Sequence, residues 1–223
     1  MQGPAFGGSL VGLNKKMILI NKINIASGIL ILSLAGCSVS KDAQRKEIKM
    51  LQKGITKDDS SFVYQLPYEL NRSHVLVQGY FSRGTHKNRA ALDFKMKRGT
   101  KVCAARSGVV IRVKEDGNKG GGNVKYRPFG NLIVIQHDDQ TRSGYWHLKY
   151  NGALVNVGDT VKQGQVIGLS GKTGYTYLPH LHFIVWKFDQ KGQWTQIGTR
   201  FKTSKGIRYL RPLRFYRNSN QTK

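Results

Sequence analysis

Acidic side chains are scarce in this 223-residue chain: 12 Asp and Glu stand against 37 Lys and Arg, a formal charge of +25. Such an excess excludes a cationic partner and requires a polyanion or an anionic surface, without saying which. Proline is also sparse, 5 residues against 26 glycines, and no long segment carries a 3.6-residue apolar period. Both features argue against a helical bundle and for a turn-rich β protein, because glycine supplies the backbone conformations that tight turns demand. There is no apolar run of membrane-spanning length: the longest, Ile23 to Leu34, falls well short of the ~20 residues a bilayer requires. Only two cysteines occur, Cys37 and Cys103. Cys103 lies in the apolar stretch Lys101-Val-Cys-Ala-Ala and reads as a buried free thiol.

The short apolar run has another use. Lys15, Lys16 and Lys22 precede it, small residues close it at Leu34-Ala35-Gly36-Cys37, and no acidic residue occurs in 1–36. This is the pattern of an export signal. Leu-Ala-Gly-Cys resembles the bacterial lipobox, which implies cleavage after residue 36 and a lipid anchor on Cys37. Ser38 does not look like the Asp that retains lipoproteins at the inner membrane, so the expected location is an exported, membrane-anchored protein of the bacterial envelope. Export sets nucleic acid aside and leaves anionic envelope polymer or lipid head groups as the partner of the basic surface.

Residues 37–63 are polar and read as a tether with room for one short helix around Ile48 and Leu51. From 64 to 190 short apolar runs alternate with Gly, Asn and Asp, the pattern of an antiparallel all-β domain. The expected strands are Val75–Gln78, Ala90–Phe94, Val102–Ala104, Val109–Val113, Leu132–Gln136, Gly144–His147, Val166–Ser170 and Leu181–Trp186, with 116–123 as a flexible loop. Residues 191–223 read as a basic C-terminal extension, its later part interleaved with aromatics.

Chemistry concentrates in Leu178-Pro-His-Leu-His-Phe-Ile-Val-Trp186. On a strand His180 and His182 share one face, about 6.5–7 Å apart along the chain. Leu181, Phe183 and Val185 take the other face and read as core. Two imidazoles on an apolar strand are costly to bury without partners, and a metal or a reacting water supplies them. Asp93, in Ala90-Ala-Leu-Asp-Phe94, is a carboxylate on a strand too apolar to be a solvated face.

The residues His86-x6-Asp93, Tyr145-Trp-His-Leu148 and Pro179-His-Leu-His-Phe183 resemble the LytM/lysostaphin family of zinc metalloendopeptidases. So do Gly99-Thr-Lys-Val-Cys-Ala-Ala, Gly108-Val-Val and Gly158–Gly171. The resemblance covers roughly residues 77–186. It implies a β domain with a groove floored by an antiparallel sheet, Zn2+ held by His86, Asp93 and His182, and a catalytic pair His147 and His180. Three N and O ligands leave a fourth tetrahedral position open, the arrangement of a catalytic zinc. The implied substrate is the peptide cross-link of peptidoglycan, bound through its stem peptides. A catalytically silent relative that binds the wall and activates separate amidases is the alternative, marked in that family by missing ligands. Tyr80, six residues before His86, is either an oxyanion donor or a core or groove-wall tyrosine. His137 reads as structural within the His137-Asp-Asp-Gln-Thr turn, which lacks the family's usual Gly, and His74 as a surface residue. Ser170-Gly-Lys-Thr173 looks like the end of a phosphate-binding loop, but Val166 stands where that loop needs glycine.

Overall fold

A computed structural model describes residues 41–189 and 191–220. The expected signal segment and Cys37 lie outside the described residues. Among those described, no helix is long and apolar enough to cross a membrane.

The core is an antiparallel nine-stranded sheet. Its order runs Thr160–Val161, Gly108–Lys114, Leu132–Gln136, Arg142–Trp146, His180–Phe188, Ala91–Lys95, Ser73–Gln78, Arg214–Arg217, and Trp194–Ile197 pairs with the outer half of His180–Phe188. Alternation within His180–Phe188 sets its orientation. Leu181, Phe183 and Val185 are at most 1% exposed and pack into the core. Burying a side chain such as Phe183 contributes about 1.5–3 kcal/mol, so a one-residue slip that exposed this set would be strongly opposed. Behind the sheet, Val63–Gln65 runs parallel to Arg200–Thr203, which pairs with Gly206–Tyr209. A second small sheet joins Lys101–Cys103, Val166–Ser170 and Leu148–Ala153.

Two expected strands, Leu132–Gln136 and Val166–Ser170, have the bounds read from sequence, and the other six differ by one or two residues at one or both ends. The segment 116–123 is not wholly a loop, since Gly120–Gly121 pairs with Gly174–Tyr175. In the turn without glycine, Gln140 itself takes φ +63°. His137 is buried, its ring satisfied by Ser107 O and Ser143 Oγ. His74 is half-buried rather than a plain surface residue: Nδ1 contacts Lys95 O and the ring meets Tyr68 edge-on. Cys103 is a buried free thiol, as expected.

Two segments read as appendages are packed into the body. The Lys41–Lys53 helix docks through Ile48, 3% exposed, against Gly198, where a Cβ would come within 2.6 Å of the isoleucine. Hydrogen bonds from Gln44 to Gln196 O and from Gln52 to Leu210 O fix it further. At the other end of the chain, Trp194–Ile197 and Arg214–Arg217 are strands of the main sheet. Their basic composition hid buried anchors such as Phe201, Leu210 and Tyr216.

Candidate metal centre

Register places two of the expected ligands side by side: His182 is paired directly with Asp93 across neighbouring strands. His86 arrives from the Gly84–His86 turn, in the connection between Ser73–Gln78 and Ala91–Lys95. The donor atoms converge. His182 Nδ1 lies 2.7 Å from Asp93 Oδ1, His86 Nε2 lies 3.1 Å from Asp93 Oδ2, and the two imidazole nitrogens are 3.2 Å apart. All three residues are at least 93% buried.

His147 and His180 flank this triad. Their rings are 4.6 Å apart, and each also lies within 6.5 Å of the His182 ring. His147 occupies the junction between Arg142–Trp146 and Leu148–Ala153 at φ +63°, a left-handed conformation costing about 1–2 kcal/mol. That bend turns its ring toward the centre.

Carbonyl oxygens decide which nitrogen of each ring faces inward. His86 Nδ1 is 3.2 Å from Gly79 O, His147 Nδ1 is 2.7 Å from Thr173 O, and His180 Nδ1 is 2.9 Å from Leu178 O. A carbonyl only accepts, so each Nδ1 carries the proton and each Nε2 presents a lone pair. Thr176 gives its hydroxyl proton to Leu178 O and sits 3.1 Å from His180 Nδ1, supporting the same tautomer. The consequence is a cluster of acceptors. His86 Nε2 and Asp93 Oδ2 face one another at 3.1 Å with no proton between them, an arrangement that calls for a cation. The chemistry of the donor set therefore fits a metal such as zinc. Edges of 2.7, 3.1 and 3.2 Å are close to the ~3.3 Å expected between ligands at tetrahedral Zn–N and Zn–O distances. Orientation of a ligating histidine by a backbone carbonyl is the usual support for such a site. A second donor group, His147, His180 and His182, overlaps the first through His182.

Electrostatics follow from burial and crowding. Burial alone would raise the Asp93 carboxyl, but the His182 imidazole, with His180 and His86 beside it, holds it well below the carboxylate range. Burial, helped by repulsion from His180 and His182, pushes His147 down to about 3. His180 moves the other way: burial, the largest single effect, lowers it, but Asp93, 3.5 Å from Nε2, and the Leu178 carbonyl together raise it.

Tyr80 is not part of this constellation. It is 2% exposed, and its hydroxyl is engaged with the carbonyl and hydroxyl of Thr199 while accepting from Thr199 N. Sequence spacing brought it near His86, but a partner 119 residues away fixes its direction, so it is a core residue. Conversely, Thr176 and the carbonyls of Gly79 and Leu178 escaped the sequence reading, because a carbonyl's direction leaves no trace in residue type.

A carboxylate and histidines gathered on one face of an antiparallel sheet form a donor group that could hold a metal ion. Residues 87–195 match peptidase family M23, so the chain carries a domain of that family. It is 46% identical over 93 residues to lysostaphin of Staphylococcus simulans, covering 41% of this chain and 17% of that protein. It is 41% identical over 91 residues to the peptidoglycan DD-endopeptidase ShyA of Vibrio cholerae, covering 41% of this chain and 18% of the relative. The chain thus spans less than a fifth of the length of these two relatives. Among solved structures, the lysostaphin catalytic domain from S. simulans is 31% identical and covers 56% of this chain and 88% of that one, at a TM-score of 0.40.

Proposed function

We propose that the protein is a zinc-dependent endopeptidase that hydrolyses the peptide cross-links of bacterial peptidoglycan. The observation that carries this is the complete donor set: His86, Asp93 and His182 at 2.7–3.2 Å from one another, with His147 and His180 beside them. A module that only bound the wall would have no use for two additional oriented imidazoles.

Zinc would be held by His86 Nε2, the Asp93 carboxylate and His182 Nδ1. When bound, it supplies Lewis-acid polarisation of the scissile carbonyl and brings the pKa of water toward ~7. The chain's own residues handle the proton. His147 and His180 keep Nδ1 bound to carbonyls and offer Nε2, so either ring can take the proton of the attacking water. The imidazolium so formed can then return that proton to the departing amine. Asp93, ionised and buried, keeps the neighbouring imidazoles oriented.

The relatives named as peptidoglycan endopeptidases support the substrate class, and the basic surface suits an anionic envelope. Lipid attachment at Cys37 and an envelope location remain part of the same proposal. Purified sacculi incubated with zinc-loaded protein test it. Soluble fragments bearing a new amine end in the cross-link, identified by mass spectrometry, are expected. Undigested sacculi from protein that retains its zinc would instead make it the silent, amidase-activating relative.

A further inference from the structure

All three tryptophans of the chain lie on one face of the main sheet, and it is the face that carries His182. Pairing establishes this: Trp146 stands opposite His182, Arg142 opposite Trp186, and Trp194 opposite Phe188. Trp186 and Phe188 follow His182 at even spacing along the same strand, while the odd residues enter the core. The rings fall in two groups along one strip, with Arg142, opposite Trp186 and over the Trp194 ring, between them. The Trp146 ring is 6.0 Å from that of His182 and 5.2 Å from that of Trp186, and Phe188 meets Trp194 at 5.1 Å.

The strip faces outward. Phe188 is 50% and Trp194 40% exposed, and Trp146 and Trp186 are half-buried. Gly144 makes room for it: a Cβ there would stand 2.1 Å from the Trp146 ring and 2.8 Å from the Trp186 ring, so both indoles lie down on bare backbone. Polar groups are set among the rings. The Arg142 guanidinium lies 4.0 Å over the Trp194 ring and donates to Gln136 Oε1. Flat apolar surfaces with amide and guanidinium groups at their edges suit a ligand that is apolar on its ring faces and polar at its rim, as a pyranose is. From His182 to Phe188 the strip runs about 20 Å, enough for several linked sugars.

We propose that this strip is a glycan subsite that takes β-1,4-linked N-acetylated amino sugars, and that it lays a wall strand beside the metal centre so that the attached peptide reaches His182. The inference rests on the peptidoglycan reading, because the strip begins at the hydrolytic site and its occupant must be contiguous with the substrate. Being built from every tryptophan of the chain, it reports its own occupancy.

Full-length protein titrated with a chitin tetrasaccharide should show a saturable change in tryptophan emission. Phe188→Ala, which keeps all three reporters, and Trp194→Ala should each weaken binding about fivefold or more, and Trp194→Phe should restore most of it. On sacculi the alanine variants should raise KM, with turnover of a glycan-free cross-linked peptide unchanged. Three results would overturn the proposal: no saturable response to the sugar, slower cleavage of the glycan-free peptide by the alanine variants (a peptide occupant), or a Trp194-dependent dimer in sedimentation (a second copy). Sugar binding lost on Phe188→Ala in a protein that digests nothing would support this subsite while sinking the hydrolase reading.

Discussion

Two overlapping donor groups share His182, and removing one ligand at a time tells them apart. Zinc bound only by the folded protein stabilises it by RT ln(1 + [Zn]/Kd), about 4 kcal/mol at a thousandfold excess over Kd. For a domain of this size each kcal/mol shifts Tm by roughly 2–4 °C, so zinc-loaded protein should melt about 8–16 °C above chelated protein. On the proposed reading the 2.7–3.2 Å edges would let His86, Asp93 and His182 share one ion. Asp93→Ala and His86→Ala should therefore abolish most of the zinc-dependent shift. His147→Ala, which lies outside those edges, should keep it while losing hydrolysis. Differential scanning calorimetry with and without zinc, paired with metal analysis of the dialysed protein, reads this directly. A His147→Ala variant with no zinc-dependent shift, beside a His86→Ala variant that retains it, would move the ion to His147, His180 and His182 and refute the assignment.

Three further outcomes probe the surroundings. Tyr80→Phe should lower unfolding free energy by about 1–3 kcal/mol, because it leaves buried Thr199 groups unpaired, with kcat essentially unchanged; a collapse of kcat at intact stability would return Tyr80 to the site. Ile48→Ala should cost about 2–4 kcal/mol in urea unfolding, as a docked anchor does, whereas an undocked tether would give a value near zero. Burial pushes the Cys103 thiol up to about 11, so in a Cys37→Ser background the native protein should resist a thiol-specific chromogenic disulfide at pH 8 and react fully once denatured; rapid native labelling would contradict its burial.

Much of the sheet was legible because strand patterning is local. Leu132–Gln136 and Val166–Ser170 are apolar runs bounded by turn residues, and the structure keeps those bounds. The shortest strands were not legible, since Thr160–Val161 and Gly120–Gly121 owe their existence to a partner strand rather than to their own composition. A short helix around Ile48 and Leu51 was legible, but its docking was not: of its apolar residues Ile48 alone is fully buried, in a segment dominated by polar and charged side chains.

Period-two alternation put His180 and His182 on one face and set Leu181, Phe183 and Val185 against it, while the family resemblance of the surrounding motifs marked His86, Asp93 and His147 as their companions. Tertiary structure decided everything that depends on direction. It chose Nε2 as the inward atom of His86, His147 and His180 through the carbonyls of Gly79, Thr173 and Leu178, turned the Tyr80 hydroxyl to Thr199, and laid three tryptophans along one strip. The division has a physical cause: alternation is a property of consecutive residues, whereas a hydrogen bond is oriented by whichever partner the completed fold brings to it.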